Sequence, residues 1–171
     1  MKQILETDRL LLRELNSGDA KNFYELNQNP NVIRYTGDKA FATIAAAQNF
    51  LENYRDYQTN GFGRWAVIHK SNGAFLGWCG LKYLKAIDET YIGFRFFEEY
   101  WNKGFATESA KSCLNYGFEI ANLETIVGRA MPENLASIRV LEKLGLAYEK
   151  EFDFDGHKGL VYRIKNNSAL L

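Results

Sequence analysis

Cysteine and histidine are scarce in this chain, with two of each among 171 residues. Cys79 and Cys113 are too few for the disulfide framework of a secreted scaffold. Both stand among apolar neighbours, as small buried hydrophobes do. His69 ends a strand-like run and His157 lies in a turn. Neither has a second ligand-type side chain at metal spacing, so no metal site is expected. No apolar run approaches the roughly 18 residues that a membrane span requires, and Met1 to Arg9 lacks the apolar segment of a secretory signal. A cytoplasmic chain with no membrane association is the expectation. An excess of one charge is missing too, since Lys plus Arg and Asp plus Glu each total 21. Without a basic block or stripe, nucleic acid is not expected as the principal ligand.

What is present is apolar and aromatic material, 46% and 15% of the residues, enough for a substantial core. The length is close to the prior of about 150 residues per domain, so one domain over 1–171 is expected. Leu10 to Arg13 reads as a first strand, and Asn16 to Asp19 supplies helix-start chemistry before Phe23 and Leu26. Asn29-Pro30-Asn31 reads as a break. Ile44, Ala47, Phe50, Leu51 and Tyr54 recur at helical spacing within 43–57. Trp65 to His69 and Ala74 to Tyr83 flank Lys70-Ser71-Asn72-Gly73, a hairpin turn, and a third strand spans Thr90 to Phe96. Ala106, Ala110, Cys113, Leu114 and Phe118 mark one helix face. After a strand from Thr125 to Ala130, Ile138, Leu141 and Leu144 mark another, ended by Gly145. Phe152 to Phe154 and Leu160 to Ile164 form a last hairpin. The fold class expected from this order is α+β: a mixed, mostly antiparallel sheet of about seven strands, with helices on both faces.

The segment Asn102-Lys103-Gly104-Phe105-Ala106-Thr107 leaves a strand and opens a helix. A small-residue turn there leaves several backbone N–H groups unpartnered and pointing one way, a geometry that holds phosphate or pyrophosphate. It has neither the Gly-Lys-Ser/Thr order of a nucleotide P-loop nor the three glycines of a dinucleotide fingerprint. A second helix opens near Asn134, also after a strand. If the two strands are neighbours, both helix starts meet at one sheet edge, where α/β ligands collect, and Asn134 and Ser137 can reach a ligand between the strands. Asn134 reads equally well as a plain helix cap.

These residues resemble the GNAT N-acetyltransferase superfamily, in the branch that contains the ribosomal-protein N-terminal (alanine or serine) acetyltransferases. Thr7 to Arg13 is similar to its opening strand, Tyr100 to Ala110 to its acetyl-CoA motif, and Pro132 to Gly145 to its second ligand helix. The resemblance implies an acetyl-CoA-dependent N-acetyltransferase acting on a primary amine, with the N-terminus of a peptide or protein as the first choice of acceptor. A polyamine or aminoglycoside is the alternative, a non-catalytic acyl-CoA-binding module is the rival, and a homodimer is left open. It also implies that the backbone of Phe94, Arg95 and Phe96 meets the pantetheine arm, that the main chain of Asn102, Lys103, Gly104, Phe105, Ala106 and Thr107 holds the pyrophosphate, that Asn134 meets the pantetheine or the region near the thioester, and that Ser137 lies near the sulfur.

Many relatives place a proton-donating tyrosine on the second ligand helix. Leu141 holds that position here, and Ser137 becomes the nearest candidate donor. The acid that the family often places two residues before the strand glycine is replaced by Tyr91, ahead of Gly93. Glu89 lies on the same strand face and reads either as a base acting through water or as an exposed turn carboxylate. Tyr91 either orients the amine or packs. Glu108, in the first helical turn, reads as a complement to the helix dipole.

Overall fold

Among residues 2–167, which the computed structural model describes, eight strands form one sheet. They are β1 (Gln3–Glu6), β2 (Leu10–Glu14), β3 (Arg64–His69), β4 (Phe75–Leu84), β5 (Glu89–Phe96), β6 (Thr125–Ala130), β7 (Ala147–Phe154) and β8 (His157–Lys165). Across the sheet the order is β1-β2-β3-β4-β5-β6-β8-β7, and only β5 and β6 pair in parallel. The helices are α1 (Ala20–Leu26), α2 (Pro30–Ile33), α3 (Ile44–Glu52), α4 (Asp56–Asn60), α5 (Phe105–Glu119) and α6 (Leu135–Lys143).

Period-two alternation divides the core between the two sheet faces. Trp65 and Val67 of β3, Cys79 and Leu81 of β4 and Ile92 of β5 pack with Phe105, Ala110, Cys113 and Leu114 of α5 and with Leu141 of α6. Ala66 and Trp78 point the other way, against Phe23 and Leu26 of α1 and Leu51 of α3. Full burial of each large side chain stabilises the fold by roughly 1.5–3 kcal/mol. The two thiols, Cys79 and Cys113, are buried with their sulfurs 3.6 Å apart. Burial pushes the Cys113 thiol well up, so it behaves as core.

The layered α+β architecture is the one expected, with differences that have local causes. The strand count is eight because Gln3–Glu6 folds back on β2 as an additional edge strand. Pro30 starts a helix: it occupies the first helical position, where its missing N–H costs nothing, and the Asn29 side chain caps the Asn31 amide at 2.9 Å. The helix expected across 43–57 stops at Glu52, where the Asn53 side chain bonds the Asn49 carbonyl at 2.8 Å. The last hairpin is longer than Phe152 to Ile164, because its turn is only Asp155-Gly156. Both residues have positive φ (48° and 81°), as a two-residue hairpin turn requires.

Candidate active site

Between β5 and α5 the chain passes through a 3-10 turn at Glu98–Tyr100. Asn102 (φ 58°) and Gly104 (φ 80°) are both left-handed, and α5 begins at Phe105. The first helical bond runs from the Glu108 N–H to the Gly104 carbonyl at 3.0 Å. The amides of Phe105, Ala106 and Thr107 precede it, and no side chain caps the helix start. Three donors at the positive end of a 15-residue helix, after a turn of alternating hand, make an anion cradle. The Phe105 side chain is buried in the core, so its contribution is backbone only.

The cradle is braced from a distant part of the chain. One Glu108 oxygen accepts the Thr7 hydroxyl at 2.6 Å and the Arg9 amide at 3.1 Å, and the other accepts Arg9 Nε at 2.7 Å. Arg9 also donates to the Lys103 carbonyl at 3.1 Å and lies 4.4 Å over the Phe105 ring. Glu108 is therefore a tie between strand and turn as well as a charge near the helix start. Partial burial works to raise its carboxyl, but the hydrogen bonds from Thr7 and Arg9, with the Arg9 charge, outweigh this and hold it below its ordinary value of 4.5. A depressed carboxyl stabilises the fold above its unfolded pKa, and that contribution is lost as pH falls through the folded value. Glu108→Gln should lower stability at neutral pH by about 1 kcal/mol. Melting curves of both proteins from about pH 7 downward should converge in acid; a gap that stays constant would show that the charge is not what matters.

Beside the cradle the sheet opens. Strands β5 and β6 pair only at Tyr91 with Val127 and at Ile92 with Gly128. From Gly93 to Phe96, β5 pairs with β4 alone, so its other backbone edge faces a gap. Phe94 and Phe96 pack into the core, so only backbone is left for the gap, and of it the Phe96 carbonyl already accepts the Trp101 indole N–H. The helix α6 starts beyond the far lip. Asn134 Oδ1 accepts the Ser137 amide at 3.2 Å, so it does cap the helix, and its amide NH2 remains available. Ser137 is half-buried on the stripe of Leu141, one turn nearer the helix start. Leu141 is buried against Gly128, where a Cβ would come within 2.4 Å of it, so this position offers nothing to the gap.

On the opposite face stand Glu89, Tyr91, Arg129 and Arg163. Glu89 Oε2 meets Arg129 at 2.6 Å and its Oε1 meets Arg163 at 2.7 Å. Both carboxylate oxygens are thus engaged by guanidinium groups, which gives Glu89 an ion-pair role in this wall of the sheet. The Arg129 guanidinium lies 5.9 Å from the Tyr91 ring and 5.4 Å from that of Phe152. Arg95 turns its side chain to this same face, where it meets Asp38 at 2.6 Å and Asn27. Sequence reasoning named Arg95 for its backbone and passed over Arg129 and Arg163. The available signal was an arginine alternating with apolar residues on interior strands, which demands a partner. The aromatic residues Trp65, Trp78, Tyr83 and Trp101 do not converge on the gap as a groove: Trp65 and Trp78 are buried core, Trp101 donates to the Phe96 carbonyl at 2.8 Å, and Tyr83 bonds Asp88 at 2.8 Å.

Two cavities flank β5. One of about 310 Å³, lined by Asn60, Tyr83, Asp88 and Glu124 among others, opens where β5 and β6 begin, at the end away from the gap. The other, about 190 Å³, lies on the α1 and α3 face and is lined by Asn27, Asp38, Arg64 and Arg95 with three phenylalanines. Among the described residues no group of three or more His, Cys, Asp or Glu side chains is placed to hold a metal ion, and no helix is long and apolar enough to cross a membrane.

Residues 9–147 match a family model described as an acetyltransferase (GNAT) domain. The chain is 34% identical over 150 residues to the uncharacterized N-acetyltransferase YnaD of Bacillus subtilis, covering 86% of this chain and 85% of that protein. It is 27% identical over 144 residues to the spermidine N(1)-acetyltransferase of Escherichia coli, covering 82% of this chain and 74% of that one. A crystal structure of a GNAT-family acetyltransferase from Bacillus anthracis superimposes with a TM-score of 0.82 at 27% identity, over 96% of this chain and 98% of the other.

Proposed function

From the premise that this chain belongs to the GNAT acetyltransferase family and is an acetyl-CoA-dependent N-acetyltransferase, we propose that its acceptor is the N-terminal amine of a peptide or protein, and that transfer takes place in the gap between β5 and β6. One observation carries this reading: a helix mouth with unused amides opens beside a strand edge that has lost its neighbour. The amides of the Asn102 to Thr107 turn would hold the diphosphate of the thioester carrier. The open edge at Phe94 to Phe96 would pair with the pantetheine amides as an added strand does, and the Asn134 side-chain NH2 would donate to the same arm. One helix end, one strand edge and one amide fit the successive chemical parts of such a carrier.

The carrier supplies an activated acetyl group: a C–N bond forms at its carbonyl carbon, the C–S bond breaks, and the amine proton is finally balanced by one taken up by the thiolate. The chain's own part is positioning, charge stabilisation and proton handling. A backbone N–H on the open edge of β5 would donate to the carbonyl oxygen as negative charge develops there. Ser137, across the gap, would place its hydroxyl at the departing sulfur. An α-amino group titrates near 7.7–8.0, so an appreciable fraction is neutral at physiological pH and no strong base is required. That suits Glu89, whose two arginine partners leave it a structural and electrostatic role beneath Tyr91, which would orient the amine. The amine proton would leave to water.

The test is release of free thiol from acetyl-CoA on addition of peptides with free α-amines. Release with peptides and not with amine-blocked controls is expected, while binding of acetyl-CoA without release for any amine would make the chain a non-catalytic binder. Ser137→Ala should lower kcat by about tenfold or more if its hydroxyl assists the thiolate, with coenzyme A affinity unchanged. Equal turnover would return Ser137 to a purely structural place in α6.

A further inference from the structure

The 190 Å³ cavity beside the gap is cationic, and the transfer chemistry does not account for that. Lys39, Arg64 and Arg95 line it against one carboxylate, Asp38. Arg95 is already satisfied, by Asp38 at 2.6 Å and by the Asn27 side chain. Arg64 is not. Its guanidinium lies 4.6 Å over the Trp78 ring, and among the described residues no carboxylate or carbonyl accepts from it. Its position is nevertheless set closely: the Arg64 amide donates to Tyr54 Oη at 2.8 Å, and its carbonyl accepts the Tyr57 hydroxyl. A half-buried guanidinium with a clamped backbone, an aromatic platform and no anion is prepared for an anion that arrives from outside.

The location ties this group to the reaction. Trp78, under both Arg64 and Arg95, reaches to within 3.3 Å of where a Cβ on Gly93 would lie. Gly93 is the first residue of β5 beyond its last pairing with β6. Trp78 thus touches both guanidinium groups of the cavity and the strand that borders the gap. At about 30 Å³ per liquid water, the cavity has room for a carboxylate and the few atoms that carry it.

We propose that Arg64 is a specificity-determining residue that binds a carboxylate carried by the acceptor a few bonds from its reacting amine. The inference rests on the transfer reading above and sharpens it. The acceptor is then an amine of amino-acid chemistry: a peptide with an acidic residue close to its N-terminus, which keeps the acceptor proposed above, or a free amino acid, which would replace it. A polyamine would bring a second cation towards Arg64 and Arg95, and such like-charge contacts in a partly desolvated cavity are unfavourable.

Calorimetric titration in the presence of coenzyme A tests this without requiring turnover. The ligands are alanine against alaninamide, and C-terminally amidated peptides beginning Ala-Asp against Ala-Asn. At least one acid should bind about tenfold or more tightly than its neutral partner, and the pair that discriminates identifies the source of the carboxylate. Arg64→Gln should abolish the preference, Arg64→Lys should restore part of it, and both should leave coenzyme A affinity and melting temperature near wild type. Equal binding within both pairs, or a preference that survives Arg64→Gln, overturns the inference. Thiol release is scored separately: a protein that prefers the acid ligands yet releases no thiol would retain this site and lose the proposed reaction.

Discussion

Gly104→Val should weaken coenzyme A binding by about tenfold or more, a loss of about 1.4 kcal/mol or greater. At φ 80° the residue is in the left-handed region, which costs an ordinary L-residue roughly 1–2 kcal/mol and a β-branched one more. A Cβ would also stand 3.4 Å from the Arg9 guanidinium that braces the turn. The chain relieves the strain most easily by rotating the turn, and rotation redirects the amides of Phe105 to Thr107 that the cradle depends on. Gly104→Ala should show a smaller loss in the same direction. The helix is long and its core face is untouched, so circular dichroism should remain native. Calorimetry that finds unchanged affinity in a folded Val variant would remove the helix mouth as the diphosphate site, and the assignment of the gap to the pantetheine arm would go with it.

Gly77→Ala should have the largest effect on folding. A Cβ there would lie 2.0 Å from the Arg95 carbonyl oxygen and 2.7 Å from the Phe96 Cα, and φ is 152°. Both obstacles are backbone of the neighbouring strand, so no side-chain rotation relieves the contact. Gly77 sits at the irregularity where Val67 pairs with Gly77 and Ile68 with Phe75, leaving Leu76 as the additional residue. The close approach it permits seats β4 against the stretch of β5 that borders the gap. Forcing the strands apart should cost about 4 kcal/mol or more, which for a chain of this size lowers the melting temperature by about 8 °C or more. A variant melting within about 2 °C of wild type would mean that the strands separate there at little cost. Coenzyme A binding should fall together with stability, because the open edge of β5 is what shifts.

Much of the fold was legible in the residues because local signals and burial agree. Trp65, Ala66 and Val67 alternate as a strand between two covered faces must, and the Ile138, Leu141, Leu144 spacing with Gly145 following marks α6 without ambiguity. Where reading fell short, a side chain made a bond that periodicity does not encode. Asn53 ends α3 by reaching back to Asn49, and Tyr54, which looks like a continuation of the helical stripe, is spent on the Arg64 amide. The edge strand β7 is mostly exposed and charged, so it carries little alternation to detect until β8 pairs with it.

The candidate site divides along the same line. Backbone sites announce themselves: Gly104 followed by a helical run implies unpaired amides, and Asn134 before another implies a cap. Charged networks do not. Nothing in sequence spacing joins Arg9 to Glu108, Glu89 to Arg129 and Arg163, or Arg95 to Asp38, because each pair is brought together by strands or loops far apart in the chain.

By itself, then, the order of residues determined the alternation of strands and helices, the two helix starts that follow strands, and membership of the acetyltransferase family through three long motifs. Those are local properties, set by φ preferences, capping and hydrophobic period. Only the tertiary structure decided that β5 and β6 separate after two paired residues, that Glu89 is paired with two arginines, and that Arg64 is left with a cavity in front of it and no anionic partner among the described residues. Those depend on which strands become neighbours and on which charges meet, and Coulomb energies follow distance in space, not position along the chain.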